Sequence, residues 1–222
     1  MAVTTRPSDA LDEGRVARFD GVERALHWTV AAMFAVLMVT AAILYVGSLS
    51  ALVGRRELVR LVHVWAGLLL PVPLILAAAG PWRRGLGADV RRLNRWDDDD
   101  RRWMRSLGRD PFARPAKFNA GQKLNAAFVA GAAVVMLVTG SVMHWFAPFP
   151  DDWRTGATFV HDWVAIALFV AITGHVLKAL GDPVALRGMV RGWVPSSWAR
   201  ANRPRWVADS DVEEPDVEAG ER

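Results

Sequence analysis

The chain contains no cysteine. This excludes disulfides, an iron–sulfur cluster of its own and the C-x-x-C-H attachment of a covalently held haem. Any haem would be b-type, gripped only by axial side chains and packing. Charge is missing from long stretches as well. Residues 25–54, 61–82 and 124–150 hold no Asp, Glu, Lys or Arg, and residues 155–177 hold only Asp162. Proton and ion pumps commonly bury several carboxylates at membrane depth, and only Asp162 stands in such a stretch. No segment alternates apolar and polar residues in the manner of a membrane β-barrel. No internal repeat and no nucleic-acid-binding motif is present. The first 24 residues carry nine charged side chains and no short apolar core, so no cleaved signal peptide is expected and the first helix inserts as an uncleaved anchor.

What is present is apolar and blocked. Of the 222 residues, 52% are hydrophobic, and they concentrate in four stretches each long enough to span a hydrocarbon core as a helix. Backbone polar groups in lipid must satisfy one another, which selects helices. The fold expected is all-α, a polytopic four-helix membrane bundle with helices at 22–48, 58–80, 120–146 and 157–181. Pro71 and Pro73 should kink the second helix, and Gly67 thins one of its turns enough for a flat ring to approach. Residues 1–20 read as a flexible cytoplasmic tail, 21–200 as the membrane domain, and 201–222 as an acidic disordered tail. Leu86, Val90, Leu93, Trp96 and Trp103, set among arginines, suggest an amphipathic interfacial helix within a cytoplasmic loop at 81–119. Within that loop Asp97–Asp100 reads as a helix N-terminus with a solvated face, in preference to a metal site. With both termini in the cytoplasm, 23 Lys and Arg lie inside and four outside, a strong positive-inside asymmetry. The net charge of +4 therefore describes membrane orientation, and no nucleic-acid partner is expected.

The five histidines, His27, His63, His144, His161 and His175, all lie in or beside the apolar blocks. Ionisable side chains at such positions are functional suspects. His161 and His175 are fourteen residues apart on one helix, which puts both on one face and about 21 Å apart along its axis, within a hydrocarbon layer about 30 Å thick. Topology places His27 and His175 near the inner surface and His63 and His161 near the outer one. Each pair of neutral imidazoles could clamp one haem iron, giving an inner haem on His27 and His175 and an outer haem on His63 and His161. A proton relay through the histidines is the rival. His144, at the outer end of the third helix beside Trp145, is given an interfacial or subunit-contact role, with replacement of His63 or His161 as the alternative.

Before the third helix stands Lys117-Phe118-Asn119-Ala120-Gly121-Gln122-Lys123. It reads either as a helix cap flanked by lysines for lipid headgroups, or as a set of amides able to hydrogen-bond a quinone carbonyl.

Together these features resemble the gamma subunit of respiratory membrane-bound formate dehydrogenases, the di-haem cytochrome b of those complexes. The resemblance covers about residues 15–200. It rests on Arg24-Ala25-Leu26-His27-Trp28, His63-Val64-Trp65-Ala66-Gly67, Arg92-Leu93-Asn94-Arg95-Trp96, the Lys117–Lys123 run and the His161/His175 pair. It implies two non-covalent haems b, with the outer one receiving electrons from an iron–sulfur beta subunit. A molybdenum or tungsten catalytic alpha subunit would oxidise formate on the outer side. The inner haem would pass electrons to menaquinone or ubiquinone in a pocket lined by Asn119, Gly121 and Gln122, with His175 close by. The chain would then be an electron-transfer and quinone-reducing subunit of the bacterial inner membrane in formate respiration, not itself catalytic toward formate. The four-helix, four-histidine pattern alone is shared with hydrogenase cytochromes b and with stand-alone cytochrome b561-like quinone-linked oxidoreductases. Those remain the alternatives, along with a haem-free transporter.

Overall fold

The computed structural model describes residues 14–212. Its helices and strands divide between two compact units, one of 25–87 and 125–177, the other of residues up to 24, 88–124 and 178 onward. In chain order the elements are β1 (Arg15–Ala17), α1 (Gly21–Tyr45), α2 (Gly47–Val53), α3 (Arg56–Leu69), α4 (Val72–Ala79), α5 (Arg83–Asn94), α6 (Asp98–Ser106), α7 (Ala120–His144), α8 (Asp151–Leu180), α9 (Pro183–Arg191), β2 (Trp193–Pro195), α10 (Ser196–Asn202) and α11 (Pro204–Val212).

The first unit holds four helices long and apolar enough to cross a membrane: α1, the joined α3–α4 (Arg56–Ala79), α7 and α8. Their outer faces carry exposed Leu74, Ile75, Val170 and Leu177, which suits contact with lipid rather than water. The break between α3 and α4 follows from Pro71. Proline has no N–H and its ring collides with the carbonyl four residues back, here that of Gly67. That carbonyl instead accepts from the Leu70 N–H at 3.3 Å, and the helix restarts where the Ile75 N–H reaches the Pro71 carbonyl at 3.0 Å. At the end of α1, Arg56 donates to the Leu44 carbonyl at 2.9 Å and to Ser50 Oγ at 3.1 Å, satisfying part of a helix C-terminus. Helix α8 starts at Asp151, six residues before the start expected from hydropathy. Asp151 and Asp152 in its first turn favour the positive end of the helix dipole, so charge ends the apolar run without ending the helix.

In the second unit, β1 and β2 pair antiparallel, with Val16 opposite Val194. Val16, Val194, Ala199 and Trp206 form a small buried cluster, against which Val184, Trp198 and Val207 pack. Gly192 closes α9 at φ +90°, and its carbonyl accepts the Arg18 and Phe19 N–H groups at 2.7 and 3.1 Å. Two expectations are corrected by this arrangement. Residues 14–20, read as part of a flexible tail, are tied down by a strand pairing to residues 193–195, and residues 204–212, read as the start of a disordered tail, form α11. The burial that offsets the entropy of ordering comes from partners far away in sequence, which local charge density does not reveal. The remaining acidic positions, 213–222, lie outside the described residues.

The 81–119 segment forms two helices, α5 and α6, so the single amphipathic helix expected through Leu86–Trp103 is interrupted, at the helix N-terminus that the sequence placed at Asp97–Asp100. Asp97 stops the first and caps the second: its side chain accepts the Asp100 N–H at 3.1 Å, while the Asp100 carboxylate accepts the Asp97 N–H at 3.2 Å, a reciprocal capping box. Arg205 donates to Asp97 and to Asp99, at 2.5 and 3.4 Å. The Arg205 hydrogen bond holds the Asp97 carboxyl down to about 2, against the opposing effect of partial burial.

Candidate functional site

In the first unit the histidines converge in two pairs. The His27 and His175 rings, from α1 and α8, have centroids 6.3 Å apart and planes inclined by 59°. The His63 and His161 rings, from α3 and α8, lie 6.4 Å apart and inclined by 69°. The pairs lie at different levels of the helices: His27 stands near the start of α1 and His175 near the end of α8, whereas His161 lies fourteen residues before His175, about 21 Å along α8.

These separations bear on what the rings can hold. An imidazole nitrogen ligates a first-row metal at about 2 Å, and the ring centroid lies about 1.1 Å beyond that nitrogen. Two imidazoles on opposite sides of one iron therefore have centroids about 6.3 Å apart. Both observed pairs match that spacing. Two histidines supply two neutral nitrogen ligands, the donor set by which a protein would hold a b-type haem. The side chains present thus fit a b-type haem at each pair.

The His63/His161 pair is further determined by two threonines. Thr40 Oγ1 on α1 lies 2.9 Å from His63 Nδ1, and Thr139 Oγ1 on α7 lies 2.9 Å from His161 Nδ1. Each hydroxyl proton already has a partner within its own helix. Thr40 donates to the Val36 carbonyl at 2.7 Å, and Thr139 to the Val135 carbonyl at 2.8 Å, the usual i−4 bond of a helical threonine. With the hydroxyl protons so directed, each oxygen can accept from Nδ1–H, and a ring in that tautomer carries its lone pair on Nε2, the nitrogen that can bind a metal. Helix α7 carries Gly140 next to Thr139, and a Cβ there would stand 3.3 Å from His161 Cε1. The glycine is what lets the ring lie so close to the α7 backbone. Gly67 is less confined, since a Cβ there would meet Leu37 Cδ2 at 3.8 Å.

Reading the sequence by residue type did not single out Thr40 or Thr139. Their depth was available. Thr40 lies thirteen residues after His27, about 20 Å along the helix, nearly the spacing that separates His161 from His175. His144 stands apart from both pairs, exposed at the end of α7, its ring edge-on to Trp145 at 5.0 Å.

In the second unit the 117–123 run forms the start of α7. The Asn119 and Gln122 side chains form a reciprocal cap: Gln122 Oε1 accepts the Asn119 N–H at 3.1 Å and Asn119 Oδ1 accepts the Gln122 N–H at 2.9 Å. Gln122 Oε1 also accepts from Arg203 at 3.4 Å. Both amide carbonyls are thereby engaged, and their NH2 groups are the donors left. Gly121 lies under the Trp103 ring, where a Cβ would come within 2.6 Å of Cη2. The flanking lysines do not reach outward to headgroups, as one reading of the run held. Lys117 bonds Asp89 at 2.6 Å and Glu23 at 3.4 Å. Lys123 bonds Asp100 at 2.6 Å and the Arg95 carbonyl at 2.7 Å. Both ammonium groups are almost wholly buried, and a charge so placed needs a partner of opposite sign. Burial acts to raise the Asp89 carboxyl, but hydrogen bonds and the Lys117 charge outweigh it and hold the group below the usual carboxylate value.

The chain is similar to the cytochrome b556(fdo) subunit of formate dehydrogenase from Escherichia coli strain K12, at 28% identity over 205 residues, covering 87% of this chain and 92% of the relative. It is similar to the formate dehydrogenase cytochrome b556 subunit of Haemophilus influenzae, at 26% identity over 211 residues, covering 89% and 84%. The cytochrome b556(Fdn) subunit of the nitrate-inducible formate dehydrogenase of Escherichia coli strain K12 is 25% identical over 218 residues, covering 93% and 96%. The family model described as prokaryotic cytochrome b561 matches residues 18–192, a stretch that includes all four membrane-length helices and every histidine. The chain belongs to the prokaryotic cytochrome b561 family, whose members are haem-b proteins of the membrane.

Proposed function

We propose that this chain is the di-haem cytochrome b subunit of a membrane-bound formate dehydrogenase, carrying electrons across the bacterial inner membrane to a quinone. The observation that carries the proposal is the pairing of four histidines at two depths, each pair at the ring separation a shared iron requires. The choice of formate as the electron source is supported by the names of the relatives and by their coverage of nearly the whole chain.

His63 and His161 hold the outer haem and His27 and His175 the inner one. Bound at each pair, haem b supplies reversible one-electron chemistry. The residues of the chain do the rest. The apolar helices exclude water and ions from the layer between the pairs. The excess of Lys and Arg in the 83–123 segment and at both termini supports a cytoplasmic location for both ends of the chain. An iron–sulfur beta subunit then docks on the outer side and delivers electrons released by a molybdenum or tungsten alpha subunit. Asn119, Gly121 and Gln122 line the site of menaquinone or ubiquinone. The amide NH2 groups of Asn119 and Gln122 donate to a quinone carbonyl, and Gly121 between them makes room for the Trp103 ring. Protons for the reduced quinone come from the cytoplasm. Electrons moving inward and protons taken up inside charge the membrane in the same sense, and each elementary charge moved is worth about 2.3 kcal/mol per 100 mV.

The test is haem stoichiometry of the purified chain. The unmodified protein should hold two haems b, and His27→Ala and His63→Ala should each remove one. Retention of both haems in either variant contradicts the assignment. Co-purification with polypeptides bearing neither iron–sulfur nor pterin cofactors contradicts the choice of donor complex.

A further inference from the structure

We propose that Thr40 and Thr139 are positioning residues for the His63/His161 site, holding both ligand rings in the Nδ1–H tautomer and lowering the reduction potential of the iron bound there. The inference rests on the reading that this pair ligates haem. It goes beyond that reading in assigning a role to two residues that bind no cofactor themselves.

The arrangement occurs twice, on different helices, with the same parts. In each case a threonine near the C-terminal end of one helix faces a histidine on another. The oxygen-to-Nδ1 distance is 2.9 Å at both, and the hydroxyl proton is committed to a backbone carbonyl 2.7 or 2.8 Å away. Thr40 is buried, and in such surroundings the direction of a hydrogen bond is not readily exchanged with water. The two threonines close matching runs, Val36-Leu37-Met38-Val39-Thr40 on α1 and Val135-Met136-Leu137-Val138-Thr139 on α7, and each meets a ligand ring carried by a different helix. The second pair differs. Among the described residues, neither His27 nor His175 has a hydroxyl on its ring nitrogens.

A hydrogen bond from the outer nitrogen of a ligating imidazole raises its basicity and fixes its orientation. A more basic ligand favours the oxidised, more positive iron, and hydrogen bonding around the ligands is one of the ways a protein tunes haem potential. Both histidines of one pair carry a threonine hydroxyl on Nδ1, and among the described residues neither histidine of the other pair does. The threonines therefore shift one of the two sites and leave the other alone.

The experiment uses the full-length purified protein in Thr40→Val, Thr139→Val, double-valine, Thr40→Ser and Thr139→Ser forms. Haem per chain and spectroelectrochemical titration are the readouts, with His63→Ala identifying which midpoint belongs to which pair. Valine keeps the shape of threonine and removes the acceptor. The expected result is that both haems remain, that the His63/His161 midpoint rises in each single variant and rises further in the double, and that the other midpoint stays put. The serine variants should return to the unmodified value. Loss of that one haem from the valine forms alone, with serine forms intact, also supports the role. Unchanged midpoints with both haems bound overturn it, as does haem loss from the serine and valine forms alike. An unmodified chain that binds no haem overturns the proposed function instead, so the two failures are distinguishable.

Discussion

Replacing Lys123 by methionine tests whether the 117–123 run is anchored in the protein or directed at lipid. The Lys123 ammonium is 2.6 Å from Asp100 Oδ2 and 2.7 Å from the Arg95 carbonyl, and the two side chains are 3% and 6% exposed. Methionine preserves most of the stem and removes the charge, which leaves the Asp100 carboxylate buried without its cation. Breaking a buried ion pair from one side costs about 3–5 kcal/mol. The Asp97 N–H still donates to Asp100 at 3.2 Å, so the lower end applies, about 3 kcal/mol. For a chain of this size that corresponds to a fall of roughly 6–12 °C in the melting temperature. Thermal unfolding of the detergent-purified chain, followed by circular dichroism, measures it, and the visible spectrum at low temperature checks that the fold has survived. In Lys123→Met/Asp100→Leu both charges are gone. Apolar replacement of both members of a buried pair is often near neutral, so the double variant should recover at least half of the loss despite the damaged cap. A single variant within about 0.5 kcal/mol of the unmodified protein, or a double variant less stable than the single, would refute the reasoning.

Two further outcomes test the second unit. Asp97, whose carboxyl is held at about 2 against an ordinary value near 3.8, contributes stability that is fully present above the ordinary value. That contribution is lost as pH falls toward about 2. Because Asp97 and Arg205 are each 27% exposed, the contribution is that of a screened pair, about 1 kcal/mol or less. Asp97→Asn should flatten acid unfolding between these two values, and an unchanged acid profile would count against the ion pair. In Gly192→Ala, the new methyl would stand 2.7 Å from the Phe19 carbonyl at a residue whose φ is +90°. Such strain costs on the order of 1–3 kcal/mol. Limited proteolysis should then cut near residues 15–20 faster than in the unmodified chain, and equal rates would contradict the tie between Gly192 and that segment.

Much of the membrane unit was legible because its causes are local. A stretch free of charge and longer than the hydrocarbon layer is thick has few alternatives to a spanning helix, and the four stretches appear as α1, α3–α4, α7 and α8. The convergence of His27 with His175 and of His63 with His161 followed from depth alone, since alternating helices bring residues of equal depth to one level. Helix ends were less legible. The start of α8 was placed at residue 157 because hydropathy stops at the charged Asp151, Asp152 and Arg154, whereas a helix dipole welcomes acidic residues in its first turn. The Lys117–Lys123 run was legible as a helix start, and the one reading that placed its lysines directed them to lipid headgroups.

From composition and spacing alone came the four spans, their direction across the membrane as a proposal, and the depth of each imidazole. Only tertiary structure decided which hydroxyl meets which ring, that Lys117 and Lys123 bind Asp89 and Asp100, and that residues 15–17 are a strand. The division has a physical cause. Transfer into lipid acts on each segment independently of the others and leaves its mark in local composition. A hydrogen bond between Thr40 and His63, or a ladder between Val16 and Val194, depends on two positions far apart in the chain being brought within a few ångströms, and neither position alone carries any sign of the other.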